Sequence, residues 1–334
     1  MIEKSACIAG KIQNRCNELN QAQKNVPYFL GIDGGGSKTD FVLADENGNL
    51  VNRITLGACN PVDIGEEEAL LVLKDGISQV CGSISFSDIS VFAGIAGSST
   101  GDYTHKINRF LRSFNFSRVH NGSDAMNAVA LGLGNRDGII VILGTGAVAF
   151  TKESDKITKT GGYGFLFGDK GSGYSLGRDA LLAAMEAEDG CGEATVLREY
   201  VLKKENTKTV SERLSLFYAG GKRLLASYAP LIFDAWEVGD TVATRILEDN
   251  MQAVARMIIN ASNKMSYQKD IPVVFFGSIT KQEHIILPII RKFLKKESST
   301  EFRYRLTVCT EPVYKGALLM AGMKEKGCKH NAEN

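Results

Sequence analysis

Short apolar segments alternate with segments of helical periodicity along most of the chain. An apolar run bounded by glycine or turn-forming residues is typical of a buried strand, and apolar residues that recur every three or four positions are typical of a helix packed on a sheet. The alternation therefore predicts an α/β fold. We expect strands near residues 28–32, 41–44, 50–54, 89–97, 138–143, 147–151, 271–276 and 304–308, and helices near residues 65–80, 102–114, 172–188, 240–257 and 279–296, with a last helix from residue 312.

The length of the chain predicts two domains, because single hydrophobic cores stop growing near about 250–300 residues and this chain has 334. We expect a helical amino-terminal extension over residues 1–26, a first domain over residues 27–120 and a larger second domain over residues 121–334. The last helix is the element that can pack back on the first domain.

A glycine-rich turn joins the first two predicted strands. The strand that ends at Asp33 leads into residues 34–38, which contain three consecutive glycines, and the second strand follows. Glycine can adopt positive φ and lets the backbone approach a ligand, so successive N–H groups can face phosphate oxygens. A Walker loop or a dinucleotide fingerprint does not fit, because each needs a helix after its glycines. Taken alone, the turn is equally compatible with a plain hairpin.

The same arrangement recurs further along the chain. The apolar run at residues 138–143 ends in the turn 144–146, with the sequence Gly-Thr-Gly, and another apolar strand follows. Two such turns could clasp a polyphosphate from both sides, and a duplicated domain is one way to produce them. Glycines interleaved with aromatic residues over 159–173 predict a loop that lies against a ligand. Residues 220–223 lack the spacing of a Walker motif.

Composition favours a small-molecule partner. The chain has 39 basic and 38 acidic residues and a net charge of +1, so no electrostatic footprint for nucleic acid or an anionic membrane is visible. Its seven cysteines form no C-x-x-C pair, which fits reduced thiols better than a disulfide framework or a zinc site. No apolar run approaches about 18 residues, so we expect a cytoplasmic protein without a membrane span.

Asp124 lies where a short strand is predicted to turn into a helix. A carboxylate in this position can cap the helix or favour its first turn through the macrodipole. It can equally be a general base at a cleft. The surrounding sequence leaves both interpretations open.

Seven short motifs occur in order along the chain, at residues 33–39, 60–61, 123–125, 144–146, 161–164, 168–172 and 277–279. Together they resemble the N-acetylglucosamine kinase branch of the BadF/BadG/BcrA/BcrD ATPase family, over roughly residues 28–325. That family shares the fold of actin, hsp70 and hexokinase. The resemblance implies two ribonuclease H-like domains, each a mixed five-stranded sheet flanked by helices, with a cleft between them.

The resemblance also implies a site for ATP, Mg²⁺ and an amino sugar. Asp124 would accept the proton of the sugar's 6-hydroxyl, and Asp33 would hold Mg²⁺ directly or through water. By the same likeness, ATP would be bound by Gly35, Gly36, Ser37, Lys38, Thr145, Gly146, Ala226, Gly277 and Ser278, and the sugar by Asn60, Asp124, Gly162, Tyr163 and Asp169. A homodimer is expected from the family.

The leading hypothesis is therefore an ATP-dependent kinase for N-acetylglucosamine, glucosamine or N-acetylmuramic acid. Tyr163 replaces the Trp of the animal sugar kinases and Ala147 stands where several members carry Ser, so the identity of the sugar stays open. One alternative is an ATPase activator of a 2-hydroxyacyl-CoA dehydratase, which binds an iron–sulfur cluster through cysteines. No cysteine lies in or beside the motifs at Asp124 and Gly144, which counts against it. The other alternative is a non-catalytic nucleotide sensor.

Overall fold

The computed structural model describes residues 26–266, 270–298 and 303–324. The strands are Tyr28–Gly34 (β1), Thr39–Asp45 (β2), Leu50–Leu56 (β3), Ile89–Ile95 (β4), Arg118–Gly122 (β5), Gly138–Leu143 (β6), Ala147–Glu153 (β7), Lys156–Gly161 (β8), Asp270–Phe276 (β9) and Arg303–Val308 (β10). The α-helices are Pro61–Ile64 (α1), Glu66–Cys81 (α2), Tyr103–Arg112 (α3), Ala125–Leu133 (α4), Gly173–Glu188 (α5), Val196–Glu205 (α6), Leu214–Ala226 (α7), Ala229–Glu237 (α8), Thr241–Ser262 (α9), Glu283–Glu297 (α10) and Tyr314–Met320 (α11). Short 3₁₀ helices occupy Phe86–Asp88, Ser211–Arg213 and Ser278–Gln282. The predicted amino-terminal helix lies outside the described residues.

Two five-stranded mixed sheets share one topology. The first sheet has the order β3-β2-β1-β4-β5, in which the β1–β2 and β2–β3 pairs are antiparallel and the β1–β4 and β4–β5 pairs are parallel. The second sheet, β10-β9-β6-β7-β8, repeats this pattern with β6 in the central place of β1. The prediction of two mixed five-stranded sheets flanked by helices is confirmed, as is the duplication inferred from the two glycine turns.

The first compact unit comprises, among the described residues, 26–131 and 312–324. Its sheet is covered on both faces. Successive side chains of a strand point to opposite faces, so neighbouring residues of β1 belong to different buried clusters. Leu30 and Ile32 of β1 pack in one buried cluster with side chains of α2 and α3. Phe29, the residue before Leu30, packs with Ala317 and neighbouring residues of α11 on the other face. This double burial explains why the central strands are continuous apolar runs.

The first unit ends further along the chain than expected. The expected division after residue 120 assigned α4 to the second domain, but contacts place the chain up to Leu131 in the first unit, together with α11. Close packing explains the difference, since a Cβ on Gly316 of α11 would lie 1.8 Å from the carbonyl oxygen of Asn127 in α4. Helical periodicity reveals that a face is buried, but it does not reveal which sheet buries it.

The second compact unit comprises residues 132–311. The 22-residue helix α9 packs on its sheet, and its buried side chains Met251, Val254 and Ile258 join those of β6 in the core. Asp240 caps this helix, accepting a hydrogen bond from the N–H of Ala243 at 2.8 Å. The predicted start of a long helix after Gly239 and Asp240 is therefore confirmed.

We expect Gly316→Ala to destabilise the first unit, because the added methyl group would displace the backbone of α4 or α11. Overpacking of this kind costs about 1–3 kcal/mol or more. Thermal unfolding monitored by circular dichroism should show a lower Tm. Gly57→Ala is the matched control, since nothing lies within 4 Å of a Cβ at Gly57. Equal Tm values for the two variants would contradict the packing of α11 on α4.

Candidate active site

The first glycine turn lies at the carboxyl end of β1. The N–H of Gly35 donates to the carbonyl of Lys38 at 2.9 Å, which closes the turn. The N–H of Cys59 donates to the carbonyl of Gly35 at 3.0 Å, which fixes the turn to the segment after β3. Gly36, Ser37 and Lys38 are exposed. An exposed, closed backbone turn of this kind is suited to bind an anion.

Limited space explains the glycines of this turn. Of the two properties of glycine, positive φ is not used here, because residues 34–36 are not among the glycines with positive φ. A Cβ on Gly35 would instead lie 3.2 Å from the carbonyl oxygen of Lys38. On Gly36 it would lie 3.1 Å from a carboxylate oxygen of Asp63. Gly35 and Gly36 therefore let the turn stay compact, because a side chain at either position would have little space.

A buried carboxylate holds the far end of the turn. Asp40 accepts hydrogen bonds from Lys38 Nζ at 2.7 Å, Arg53 Nη2 at 2.9 Å and Thr55 Oγ1 at 2.6 Å. Burial desolvates the Asp40 carboxylate and would raise its pKa, but the bonds from Lys38, Thr55 and Arg53 hold its pKa below the ordinary value. The side chain of Asp40 is 5% exposed and that of Lys38 is 63% exposed. Asp40 thus anchors a lysine that remains accessible to a ligand.

Asp33, near the end of β1, carries an unusually basic carboxylate. Burial raises the pKa of Asp33 to about 6, and the negative charges of Asp124 and Asp40 add to this increase. A hydrogen bond from Asn127 Nδ2 at 2.7 Å and the charge of Lys38 act in the opposite direction without cancelling it. The raised pKa of Asp33 thus reflects its burial first and the neighbouring carboxylates second.

This setting fits Mg²⁺. Carboxylate oxygens are preferred Mg²⁺ ligands, and a divalent cation would relieve the repulsion between Asp33 and Asp124. Across residues 26–266, 270–298 and 303–324, no group of three or more His, Cys, Asp or Glu side chains could hold a metal ion. Mg²⁺ commonly keeps several waters and binds through one or two carboxylates together with substrate phosphates. Asp33 can serve as such a ligand.

Asn127 orients Asp33 and was not anticipated from the sequence. Its side chain is fully buried in α4 and contacts the carboxyl end of β4, where a Cβ on Gly94 would lie 2.4 Å from the amide group. In the described structure its Oδ1 atom is buried without a hydrogen-bond partner. The sequence did offer one indication of this role. Asn127 follows Asp124 by three residues, on a helix whose start was predicted, so the two lie on the same side of that helix.

Asp124 directly precedes α4. Its Oδ1 atom accepts a hydrogen bond from the N–H of Ala125 at 3.0 Å, so the carboxylate does contact the start of the helix. The side chain is half-buried, and its charge acts on Asp33. A position at the helix start is therefore compatible with a role at the edge of the sheet where Asp33 lies.

Asn60 lies next to the first turn, because the N–H of the preceding residue, Cys59, donates a hydrogen bond to Gly35 of that turn. The side chain of Asn60 caps α1, with Oδ1 accepting from the N–H of Val62 at 3.0 Å and Nδ2 donating to Asp63 at 2.6 Å. Asn60, Asp33 and Asp124 all belong to the first unit.

The second glycine turn lies at the carboxyl end of β6. The N–H of Gly144 donates to the carbonyl of Gly146 at 2.9 Å, and the N–H of Gly173, the first residue of α5, donates to the carbonyl of Gly144 at 2.8 Å. The exposed Thr145 lies between the two glycines. The turn is thus attached to the start of a buried helix, which restricts its conformation.

Asp169 lies directly beside this second turn. Its side chain is 3% exposed, and it accepts a hydrogen bond from the N–H of Ala147 at 3.3 Å. Lys222 Nζ donates to its other carboxylate oxygen at 3.0 Å. A Cβ on Gly146 would lie 3.2 Å from both the Lys222 nitrogen and an Asp169 oxygen. The pair therefore limits the space at Gly146 as well as orienting the turn.

The predicted adenosine residues meet near the same turn. Gly277, directly after β9, has a φ of 109°, and a Cβ there would lie 2.3 Å from the carbonyl oxygen of Leu143. At Gly173, a Cβ would lie 3.6 Å from the Ala226 methyl group and 3.6 Å from Ile279, the residue after the exposed Ser278. The structure therefore gathers these predicted residues within the second unit.

The glycine-rich loop before α5 is shorter than expected. Residues up to Gly161 belong to strand β8, so the expected loop over 159–173 begins only after it. The Gly162 carbonyl accepts a hydrogen bond from Lys159 Nζ at 2.8 Å, and Gly162 has a φ of 66°. Tyr163 is 75% exposed. It is therefore accessible to a ligand, and the predicted contact with one stays a prediction.

A family model for BadF/BadG/BcrA/BcrD ATPases matches residues 30–318. The chain belongs to this family. The resemblance stated from the motifs is thereby confirmed, and the match covers the strands and both glycine turns.

Two curated relatives of the chain are sugar kinases. An N-acetylmuramic acid/N-acetylglucosamine kinase of Clostridium acetobutylicum is 29% identical over 275 residues, which cover 80% of this chain and 90% of the relative. An N-acetyl-D-glucosamine kinase of Dictyostelium discoideum is 28% identical over 320 residues, which cover 89% of this chain and 98% of the relative. Among solved structures, a Chromobacterium violaceum protein provisionally described as an N-acetylglucosamine kinase superposes with a TM-score of 0.68 at 22% identity, over 89% of this chain and 99% of that chain. This last likeness supports the fold.

We expect the Asp40 network to stabilise the protein at neutral pH and to fail in acid. Because the folded-state pKa of Asp40 is lowered, its contribution is present above the ordinary aspartate pKa and is lost as the pH falls through the lower folded-state value. Asp40→Asn should therefore lower Tm more at pH 7 than at pH 3. Asp102→Asn, at an exposed aspartate without a side-chain capping bond, is the control. A Tm difference for Asp40→Asn that does not shrink in acid would argue against the network.

Proposed function

We propose that the protein is an ATP-dependent amino-sugar kinase that phosphorylates the 6-hydroxyl of N-acetylglucosamine or a close relative. The observation that carries the proposal is the pair of closed glycine turns at equivalent ends of two duplicated sheets, with Asp33 and Asp124 beside the first turn. The curated relatives, both amino-sugar kinases by name, support the substrate class.

The proposed chemistry is transfer of the γ-phosphoryl group of ATP to a sugar hydroxyl. The transition state of such a transfer is loose, so the protein acts mainly by positioning the reactants and stabilising charge. Asp124 accepts the hydroxyl proton as general base, a role usually worth about 10²–10⁴-fold in rate. Its half-buried carboxylate, already anchored at the start of α4, is suited to a fixed orientation. Asp33 would hold Mg²⁺ directly or through water, and the bound ion would supply charge neutralisation on the phosphate oxygens.

For ATP, we propose that both turns bind the phosphates. Backbone N–H groups near Gly35, Gly36 and Ser37, with the anchored Lys38, act in the first unit. Thr145 and Gly146 act in the second. The adenosine is assigned to Ala226, Gly277 and Ser278, whose neighbourhood in the second unit supports a shared pocket.

For the sugar, we propose Asn60 and Asp124 in the first unit and Gly162, Tyr163 and Asp169 in the second. Asp169 differs from the others because the protein already engages its carboxylate through Ala147 and Lys222. Its role is therefore as much to orient the second turn as to contact a ligand. We further propose a cytoplasmic homodimer, as expected for this family. None of the helices in the described part of the chain is long and apolar enough to cross a membrane.

The direct test is ADP release from Mg-ATP in the presence of glucose, mannose, glucosamine, N-acetylglucosamine or N-acetylmuramic acid. We expect strong stimulation by one or more of the amino sugars and little hydrolysis without sugar. Sugar-independent hydrolysis would favour the activator hypothesis, and ATP binding without turnover would favour the sensor hypothesis. Either result would overturn the kinase proposal.

Asp124→Asn should lower kcat by about 10²–10⁴-fold because it removes the general base. Affinity for ATP should be retained, which separates a catalytic effect from a folding defect. Asp102→Asn makes the same charge change at an exposed helix start, and we expect near wild-type turnover from it. Near wild-type kcat in a folded Asp124→Asn protein would refute the assignment of the base.

A further inference from the structure

Lys222 lies on helix α7, one turn before Ala226. Residues four apart on a helix lie on the same face, about 6 Å apart along the axis. Here the helix is kinked at Gly221, which has a φ of 57° and a ψ of −159°. The kink lies directly before Lys222, so the segment from Lys222 to Ala226 forms the final turn of the helix. Ala226 is in the proposed adenosine pocket, and Lys222 is therefore placed one helical turn from it.

The ammonium group of Lys222 reaches the second glycine turn. It lies 3.0 Å from an Asp169 carboxylate oxygen, and a Cβ on Gly146 would lie 3.2 Å from it. The side chain of Lys222 is 31% exposed, whereas that of Asp169 is 3% exposed. A lysine ammonium group has three N–H donors, and the bond to Asp169 uses one of them. Lys222 therefore combines a fixed position at the turn with access to solvent.

We propose that Lys222 binds the phosphate groups of ATP at the second turn. The inference rests on the proposed function, since it requires that this turn binds ATP. A nucleotide with its adenosine near Ala226 would have its phosphates near the turn 144–146, and Lys222 supplies positive charge there. Backbone N–H groups carry only partial charges, and a charged donor makes a stronger hydrogen bond to a phosphate than a neutral one.

Asp169 prepares Lys222 for this role. The buried carboxylate holds the flexible side chain of Lys222 in place at the turn before the ligand arrives. The competing explanation is that Lys222 merely neutralises Asp169, because a buried carboxylate without a partner is strongly destabilising. The two explanations differ in what happens when both charges are removed together.

The experiment measures binding of ATP, ADP and adenosine to the full chain by isothermal titration calorimetry with Mg²⁺ present. Lys222→Met keeps most of the aliphatic side chain and removes the charge. Lys222→Arg keeps the charge. Lys222→Met/Asp169→Asn removes both charges of the pair. Lys204→Met is the matched control, because Lys204 also lies in the second unit and its Nζ donates to the Ser227 carbonyl just after α7.

We expect Lys222→Met to weaken ATP and ADP binding roughly ten- to a hundredfold, with adenosine binding unchanged, since a hydrogen bond to a charged group is lost. Lys222→Arg should retain most of the affinity, the double variant should stay as weak as Lys222→Met, and Lys204→Met should match wild type. Recovery of ATP binding in the double variant, or an equal loss for adenosine and ATP, would overturn the inference. Failure of the wild-type protein to bind ATP would refute the proposed function itself.

Discussion

The close approach of backbone segments at the carboxyl ends of equivalent strands constrains the rest of the structure. Strands β4 and β9 occupy the same place in their sheets, each parallel to the central strand. At the end of β4, Gly94 leaves room for the Asn127 amide, and just after β9, Gly277 lies against the Leu143 carbonyl. A side chain at either position would collide with the neighbouring segment. Both glycine turns and their polar partners depend on this space.

The two turns rely on different partners despite their equivalent positions. In the first unit the turn is followed by the buried Asp40, which holds Lys38 from within the same sheet. In the second unit the carboxylate is Asp169, which follows the β8 strand, and the lysine is Lys222, from a helix further along the chain. Each turn thus lies beside a buried acid paired with a partly exposed lysine. The duplication preserves the backbone, while the charged pair is assembled from unrelated parts of the sequence.

Strands, turns and helix starts could be predicted because their signals are local. Apolar runs ending in glycine located β1 and β6, and the Gly239-Asp240 pair located the start of α9. The polar contacts could not be predicted in the same way, because Asn127 and Asp33 are distant in sequence and are joined only by packing of α4 beside the sheet. Lys222 belongs to the segment 220–223, which was excluded as a phosphate-binding loop because it lacks a Walker motif. Its spacing of four residues from Ala226 nevertheless indicates that the two lie on one face of a helix. The sequence also could not show which property of glycine the first turn uses, and there close approach matters and positive φ does not.

The two units also differ in the charged side chains that surround their glycine turns. Asp33 and Asp124 concentrate negative charge, which suits a metal ion and a proton acceptor. Lys222 places positive charge beside a turn that suits phosphate. Duplication of one fold has therefore produced two turns whose charged surroundings differ.

Backbone amide chemical-shift mapping by NMR is the most direct test that both turns bind phosphate. ATP with Mg²⁺ and adenosine alone would be added separately to the isotopically labelled full chain. We expect amides of residues 34–38 and 145–147 to shift with ATP and not with adenosine, while amides near Gly277 shift with both. ATP-specific shifts confined to other parts of the chain would contradict this expectation.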